Sequence, residues 1–296
     1  MSRVTEQRNP ASKGLDEKSV REILETINGE DAKITKAIHS QLPQIEAAVE
    51  KIIATMKSGG NVYLVGAGSS GRLCVLEASE ILPTFGVPPE RIRALIAGGV
   101  EAIYSSIEGA EDERAKGAAE MDALGVKKFD LIIGVAASGS TPYVLGAVEK
   151  AKALGAKTVG LSCNPDVSLS KMADVGIAVV VGPEIVAGST RMRAGTAQKM
   201  VLNMMTTTAM MKLGLVYDGY MVGVQATNSK LKERSKRIVA EITGASLEEA
   251  WAVLEVAGWD VRVATVLLLT DLSREEAVEG LKTRTLRQIL ATREQR

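Results

Sequence analysis

Apolar residues in the middle of the chain form two alternating patterns: short continuous runs, and segments in which they recur every three or four positions. The runs predict β-strands and the periodic segments predict amphipathic helices. The predicted strands are Val62–Val65, Ile92–Ile96, Leu131–Val135, Thr158–Leu161 and Val175–Val181. The helices predicted between them are Ser70–Leu82, Glu113–Leu124 and Thr141–Leu154. This alternation predicts an α/β fold with a doubly wound parallel five-stranded sheet and right-handed crossovers.

Helical periodicity continues on both sides of the predicted sheet. A short helix is predicted near Val20–Ile27, and a longer one from about Asp31 to Met56, before the pair Gly59-Gly60. The helices predicted after the sheet are Ala194–Leu213 and Gln225–Ile242. We therefore expect the sheet domain to be flanked by helices on both sides in sequence.

The chain changes character at Gly244, after which the pattern predicts three short helices. Ser246 and Ser273 suit the N-cap positions of two of these helices, because acidic residues follow each serine in the first turn. The predicted parts are an N-terminal segment with helices (1–56), the α/β domain (57–220), a long connecting helix (221–243) and a small helical module (244–296).

Charge and composition exclude several classes of function. Lys and Arg together number 36, as do Asp and Glu, so no net field attracts the protein to nucleic acid or to anionic membranes. Aromatic residues make up only 3%, which argues against a base-stacking surface. His39 is the only histidine, which excludes metal sites built from several histidines, and it lies within a long predicted helix, where we expect a packed or surface residue rather than a catalyst. We therefore expect chemistry without a metal ion or coenzyme.

The cysteines and the apolar runs bear on the compartment. Cys74 and Cys163 are the only cysteines, which suits a reducing cytosol. No uncharged apolar run reaches the roughly 18 residues that span a bilayer. The first residues also lack the apolar segment of a signal peptide. These features predict a cytoplasmic protein.

A small-residue loop, Gly66-Ala67-Gly68-Ser69-Ser70-Gly71, joins the first predicted strand to the next helix. Such a loop presents backbone N–H groups and hydroxyls to an anion. The glycine spacing also fits a dinucleotide-binding loop, but the next strand does not end in the acidic residue that such a site needs. A purely structural turn is the third interpretation. The paired serines favour a phosphomonoester.

A second loop of this kind, Ser138-Gly139-Ser140-Thr141-Pro142, follows the strand at Leu131–Val135. Pro142 suits the first turn of a helix and Thr141 its N-cap, so an ordinary strand–helix junction explains the same residues. The repetition of hydroxyl-rich loops favours binding, because strands of a doubly wound sheet present their carboxyl ends to one crevice. Two such loops can hold one phosphate.

Carboxylates near these loops are candidates for acid–base chemistry, notably Glu80 and Glu111. Most surface acids are merely solvated, so the motif alone leaves that alternative open. Glu80 lies 11 residues after Ser69, roughly 16 Å along a helix at about 1.5 Å per residue. Because this exceeds the length of a hexose, we expect a site shared across a dimer, in which one subunit's phosphate loop works with the other subunit's Glu80.

A third polar cluster, Gly188–Lys199, stands at the start of a predicted helix. Ser189, Thr190 or Lys199 would lie near the sugar or its phosphate if the cluster is functional. An ordinary capped helix start with solvated cations explains the cluster equally well, and a Schiff-base role for Lys199 is a further alternative.

Together, these motifs resemble the N-acetylmuramic acid 6-phosphate etherases. The resemblance covers nearly the whole chain and is carried by TEQRNP at 5–10, GAGSSGRL at 66–73, EASE at 77–80, PTFGVP at 83–88, IAGG at 96–99, EGAEDE at 108–113, ASGSTPYV at 137–144, SCNP at 162–165, STRMRAGTAQKMVLNM at 189–204 and ATN at 226–228. Relatives often have DASE for EASE and TS for Ser69-Ser70, and neither difference removes a functional group that the chemistry needs.

The resemblance implies a sugar-isomerase-type (SIS) phosphosugar-binding domain, a ubiquitin-associated-like (UBA-like) C-terminal module and a homodimer. It implies removal of the D-lactyl ether by elimination of lactate and addition of water, within amino sugar recycling from peptidoglycan. Glu80 would protonate the leaving lactate and Glu111 would take the proton from carbon 2. The expected substrate-binding residues are Ser69, Ser70, Arg72, Ser138, Ser140, Thr141, Ser189 and Lys199.

Two other functions stay open on this scaffold. An aldose–ketose isomerase would also move protons with carboxylates. A non-catalytic phosphosugar sensor would keep the binding loops alone, although such sensors usually carry two SIS domains or a DNA-binding domain, and neither is visible in this sequence.

Overall fold

The computed structural model describes residues 3–291. The α-helices are α1 (Val20–Asp31), α2 (Ile34–His39), α3 (Leu42–Lys57), α4 (Gly68–Phe85), α5 (Glu101–Tyr104), α6 (Arg114–Ala123), α7 (Pro142–Ala153), α8 (Ser168–Met172), α9 (Arg193–Lys212), α10 (Ser229–Thr243), α11 (Leu247–Val256), α12 (Val261–Leu269), α13 (Arg274–Thr283) and α14 (Leu286–Ala291). The strands are β1 (Val62–Gly66), β2 (Ile92–Ile96), β3 (Leu131–Val135), β4 (Lys157–Ser162), β5 (Val175–Ala178), β6 (Val216–Tyr217) and β7 (Tyr220–Met221). Short 3-10 turns occur at Val4–Glu6, Pro10–Ser12, Leu15–Glu17 and Ala110–Asp112.

The main sheet confirms the predicted fold class. Within the described residues it has five strands, all parallel, in the order β2-β1-β3-β4-β5. Every residue of β1 and β3 is buried, as expected for central strands covered by helices on both faces. Helix α3 packs on β1, β3 and β5, and α7 packs on β1, β3 and β4. Because the strand order reverses between β1 and β3, their carboxyl ends open a crevice at the edge of the sheet.

The strand at the end of the sheet is shorter than predicted. Strand β5 ends at Ala178, whereas the apolar pattern continues to Val181. Its neighbour β4 ends at Ser162, whose carbonyl accepts the last ladder bond, from Val179 N, at 2.9 Å. Residues 180–181 therefore have no facing strand residues with which to pair.

The predicted long helix from Asp31 to Met56 is wrong, because α2 and α3 replace it. Pro43 is the second residue of α3. Its ring has no N–H to donate to the carbonyl of His39 and collides with that carbonyl in a continuous helix, so the helix restarts. His39 is consequently the exposed last residue of the short α2.

The chain divides into two compact units. One comprises the chain up to Ala78 with Glu90–Thr206, and the other comprises Ser79–Pro89 with the chain from Thr207 onward. The first unit contains the five-stranded sheet and an apolar core built on strands β1 and β3 and helix α7. Both cysteines, Cys74 and Cys163, are buried free thiols in this unit. None of the helices in the described range combines the length and apolar composition that a membrane-crossing segment needs.

The second unit contains its own apolar core, formed mainly by α10 to α14. The three short helices predicted after Gly244 are present as α11, α12 and α13, and α14 follows them. Ser246 and Ser273 each form a capping box, with Glu249 and Glu276 respectively, as predicted. Residues 292–296 of the predicted module lie outside the described residues. The UBA-like character of the module and the boundaries of the four parts stay predictions.

Candidate active site

The first predicted phosphate loop lies between β1 and α4, and two glycines allow the close approach that it needs. A Cβ on Gly66 would lie 2.7 Å from the Gly71 nitrogen, and a Cβ on Gly71 would lie 2.5 Å from Cγ1 of Ile96. The start of α4 therefore lies directly against the end of β1. Gly71 N donates to the Ala67 carbonyl at 3.1 Å, and the N–H groups that precede Gly71 in this 18-residue helix have no intrahelical acceptors, so they are available to an anion.

The serines of this loop lie in different environments. Ser69 is half-buried and lines the crevice. Ser70 is only 7% exposed, and its hydroxyl donates to Oε1 of Gln198 at 2.8 Å. Nε2 of Gln198 is buried and has no hydrogen-bond partner in the part of the chain that the structure describes. This contact connects α4 to α9 inside the first unit.

The second predicted loop follows β3. Ser138 Oγ accepts hydrogen bonds from both the backbone N and the Oγ of Ser140, each at 3.3 Å. Thr141 occupies the N-cap position of α7 and Pro142 its first turn, as predicted, but the Thr141 hydroxyl makes no capping bond. Instead, this hydroxyl lies 3.5 Å from Ser138 Oγ. The loop therefore concentrates three hydroxyl groups beside the carboxyl end of β3.

The two loops and a carboxylate meet in one cavity of about 510 Å³ at the crevice between β1 and β3. The cavity is lined by Arg3, Glu6, Ala67, Gly68, Ser69, Ser70, Glu111, Asp112, Ala137, Ser138, Ser140, Thr141, Pro142, Gly188 and Thr190. Its volume lies within the range of small-molecule sites, which starts at about 300 Å³. The lining has hydroxyls, backbone N–H groups and carboxylates, which suits a phosphorylated polyol better than an apolar ligand.

Glu111 and Asp112 reach this cavity from the 3-10 turn at Ala110–Asp112. Gly109 precedes the turn with a φ of 73°, a left-handed conformation that favours glycine. Glu111 also lines an adjoining cavity of about 180 Å³, together with Glu108 and Arg72. The Arg72 guanidinium donates to the carbonyls of Ile103 and Ser105, each at 3.0 Å, so it holds the segment that leads to Glu111.

The third predicted cluster is only partly at the cavity. Thr190 and Gly188 line it, whereas Ser189 between them does not. Lys199 is exposed on α9 and is also outside the lining set. The start of α9 is occupied by the fully buried Glu184, whose carboxylate accepts from the backbone nitrogens of Arg193 and Ala194 at 2.9 and 2.8 Å. Two of the backbone N–H groups at this helix start therefore already have acceptors within the protein.

Glu80 does not line the cavity that contains Glu111. It is exposed on α4, 11 residues after Ser69, and belongs to the second compact unit. The chain therefore brings together Ser69, Ser70, Ser138, Ser140, Thr141 and Glu111 of the predicted set.

Two charged lining residues, Arg3 and Glu6, were not among the candidates from the sequence, whereas Asp112 and Gly188 belong to the EGAEDE motif and to the polar cluster Gly188–Lys199 that the sequence indicated. The first two belong to a polar segment without helical or strand periodicity. The TEQRNP motif at 5–10 contains Glu6 but not Arg3, and it does not indicate where the segment lies in the fold.

Two family models match the chain. The model described as the SIS domain matches residues 113–208, and the one described as the glucokinase regulatory protein N-terminal SIS domain matches residues 44–152. Both matches lie mainly in the unit that carries the five-stranded sheet.

Curated relatives match over almost the full length. An N-acetylmuramic acid 6-phosphate etherase from Serratia proteamaculans is 49% identical over 279 residues, which is 94% of this chain and 94% of that protein. Proteins with the same name from Shouchella clausii and Geobacillus thermodenitrificans are each 48% identical over 278 residues, with the same coverage of both chains.

Solved structures share the fold over about two thirds of this chain. A phosphoheptose isomerase from Francisella tularensis superposes with a TM-score of 0.50 at 18% identity, covering 66% of this chain and 99% of that one. A phosphoheptose isomerase from Neisseria gonorrhoeae also gives 0.50, at 16% identity, covering 64% and 99%. At such identities the likeness concerns the fold alone.

Proposed function

Because this chain belongs to the N-acetylmuramic acid 6-phosphate etherase family, we propose that it cleaves the D-lactyl ether of N-acetylmuramic acid 6-phosphate, giving N-acetylglucosamine 6-phosphate and D-lactate. The observation that carries the proposal is the single cavity at the β1/β3 crevice, which holds both hydroxyl loops and the carboxylate of Glu111. We expect this reaction to take place in the cytoplasm, in the recycling of cell-wall amino sugars.

The phosphate of the substrate binds between the two loops. The start of α4 supplies backbone N–H groups and the positive end of the helix dipole, and Ser69 lines the same wall. Ser138, Ser140 and Thr141 supply hydroxyls from the loop after β3. Neutral donors of this kind bind a dianion without requiring a lysine or arginine at the phosphate.

Glu111 acts as the general base on the open-chain aldehyde. The aldehyde at carbon 1 acidifies the proton on carbon 2, and the Glu111 carboxylate removes that proton. The electron pair forms a double bond between carbons 2 and 3 while the bond from carbon 3 to the lactyl oxygen breaks. Water then adds across the double bond, with hydroxyl to carbon 3 and a proton to carbon 2. The activity is therefore that of a carbon–oxygen lyase.

Glu80 of the partner subunit acts as the general acid in a homodimer. The leaving lactyl oxygen needs a proton, and Glu80 is the second carboxylate that the family motifs indicate. Along α4, Glu80 is about 16 Å from Ser69, too far to reach a sugar held at that serine in the same helix direction. Its exposed position on α4 leaves it accessible to a second copy of the chain.

The direct test is lactate release from N-acetylmuramic acid 6-phosphate, with product analysis in deuterated water. We expect wild-type protein to release lactate and to place deuterium at carbon 2. Glu111→Gln should lower kcat by about 10²–10⁴-fold and abolish exchange at carbon 2, because the base is lost. Glu80→Gln should lose lactate release but retain that exchange.

A matched control is Glu113→Gln. Glu113 is an exposed carboxylate two residues from Glu111 that pairs with Lys116 at 3.2 Å and does not line the cavity. The Glu113→Gln variant should therefore release lactate at the wild-type rate. Exchange that survives in Glu111→Gln and disappears in Glu80→Gln would reverse the two roles. Formation of a ketose phosphate without lactate would replace the etherase with an isomerase, and binding without turnover would indicate a sensor.

A further inference from the structure

The first described residues form an ordered segment, Arg3–Leu15, which we call the N-terminal strap. Its Thr5 is fully buried, and the backbone N of Thr5 donates to Oδ1 of Asn164 at 3.3 Å. The amide nitrogen of Asn164 donates in turn to Thr5 Oγ1 and to the carbonyl of Ala137, each at 3.0 Å. Because Ala137 lines the cavity just before Ser138, the strap is tied to the second phosphate loop.

The other side of the strap is fixed to the loop that precedes α9. Asn9, 3% exposed, donates from Nδ2 to the carbonyl of Pro183 at 2.9 Å. Ser12 Oγ donates to the carbonyl of Ile185 at 2.6 Å, and the backbone N of Gly188 donates to the carbonyl of Thr5 at 3.2 Å. These bonds to backbone carbonyls, one of them from the buried Asn9, hold the strap in one position relative to the cavity.

This anchoring places two charged side chains at the cavity. Arg3 and Glu6 flank the buried Thr5, and both are exposed and line the cavity. They are joined through the backbone, because the N of Glu6 donates to the carbonyl of Arg3 at 3.0 Å. Among the described residues that line the cavity, Arg3 is the one cation, against the three carboxylates of Glu6, Glu111 and Asp112.

That charge balance matters for a substrate with a second anionic group. A carboxylate that enters beside three acidic side chains is repelled unless a cation compensates it. The phosphate already has hydroxyl and N–H donors from the two loops, whereas none of those donors comes from the strap. A guanidinium matches a carboxylate with two parallel N–H donors, which makes arginine the side chain best suited to that group.

We propose that Arg3 is a specificity residue that binds the carboxylate of the lactyl group. The proposal rests on the proposed function, since it requires a lactyl-bearing sugar. The strap thereby distinguishes the ether substrate from hexose phosphates that bind the same loops but have no acid group at carbon 3.

The test compares two ligands that differ only by the lactyl group. In Arg3→Gln, the KM for N-acetylmuramic acid 6-phosphate should rise by about 10- to 100-fold, the loss expected for one charge-assisted contact. The inhibition constant of N-acetylglucosamine 6-phosphate, the product without lactyl, should stay at the wild-type value. Arg3→Lys should restore part of the affinity. The control is Arg8→Gln, an exposed arginine of the same strap that does not line the cavity, and it should change neither constant.

Two results would overturn the assignment. An equal rise in both constants would place Arg3 at the phosphate, and no rise in either would remove it from the ligand. A wild-type protein that releases no lactate would instead refute the proposed function. In that event, calorimetric titration of the same two sugars into wild type and Arg3→Gln still decides the role of Arg3, because discrimination in binding needs no turnover.

Discussion

At the scale of single residues, the site depends on small side chains where the start of α4 meets the end of β1. Gly66 and Gly71 let the helix begin directly at the strand end. Ser69 and Ser70 therefore lie in the first turn of α4, next to the end of β1. Alternative interpretations of the glycine motif could not be separated by spacing alone. The structure adds the position of Glu111 at the same cavity, which no local pattern in the sequence places there.

We expect Gly66→Ala to destabilise the first unit by about 1–3 kcal/mol, the usual cost of overpacking. The new methyl group would lie 2.7 Å from the backbone nitrogen of Gly71, so the strand end or the helix start must move. The matched control is Gly29→Ala in α1, where an added Cβ meets nothing within 4 Å. That change should stabilise slightly, because alanine favours the helix. Thermal unfolding by calorimetry measures both, and an unchanged transition in Gly66→Ala would contradict the close packing.

At the scale of elements, the sequence predicts the strands and helices that local apolar patterns determine. It does not predict a segment whose position depends on contacts with residues far away in the chain. Strands β2 and β3 have their predicted bounds, and for β3 a continuous apolar run suffices because every residue of that strand is buried. The break between α2 and α3 was missed although Pro43 explains it. The strap was not predicted, because its position depends on side chains such as Asn164, 159 residues from Thr5.

One carboxylate connects the strap to the rest of the first unit. Glu30 on α1 accepts from Asn9 Nδ2 at 3.1 Å and from the Arg193 guanidinium at 2.9 Å. Burial acts to raise its pKa, but hydrogen bonds from Lys33 and Asn9 and the charge of Arg193 outweigh burial, so the pKa is lowered from its ordinary 4.5. A carboxyl group whose pKa is lower in the folded than in the unfolded protein stabilises the fold above about pH 4.5. That stabilisation is lost as the pH falls through the lowered pKa of the folded protein.

We therefore expect Glu30→Gln to lower the stability at neutral pH by about 1–3 kcal/mol, because Arg193 loses its buried charged partner. The deficit relative to wild type should shrink as the pH falls below about 4.5. Glu25→Gln on the same helix is the control, since Glu25 pairs with Arg21 at a site where their side chains are 59% and 83% exposed. Exposed pairs contribute less than about 1 kcal/mol. Melting temperatures between pH 3.5 and 7 measure the difference, and a deficit independent of pH would refute the ionic role.

At the scale of the whole molecule, the sequence predicted both the protein family and the SIS domain. The motifs predicted the family, and relatives at 48–49% identity over 94% of the chain confirm it. The SIS domain is likewise confirmed by the family models and by the five-stranded sheet. The homodimer stays a prediction, because a sequence pattern cannot show which exposed face meets a second copy. The exposed Glu80, outside the cavity that contains Glu111, is the physical reason for proposing a shared site.

The central claim is that each active site combines Glu111 of one subunit with Glu80 of the partner subunit. The most direct measurement is lactate release by mixed dimers of Glu80→Gln and Glu111→Gln, co-expressed with different tags and purified through both. Each mixed dimer would contain one intact site and one doubly altered site, so we predict about half of the wild-type activity per dimer, from parents that are each nearly inactive. A mixed dimer between Glu111→Gln and the double variant serves as the control and should stay inactive. Mixed dimers of the two single variants that remain as inactive as their parents, or the absence of any mixed dimer, would contradict the account.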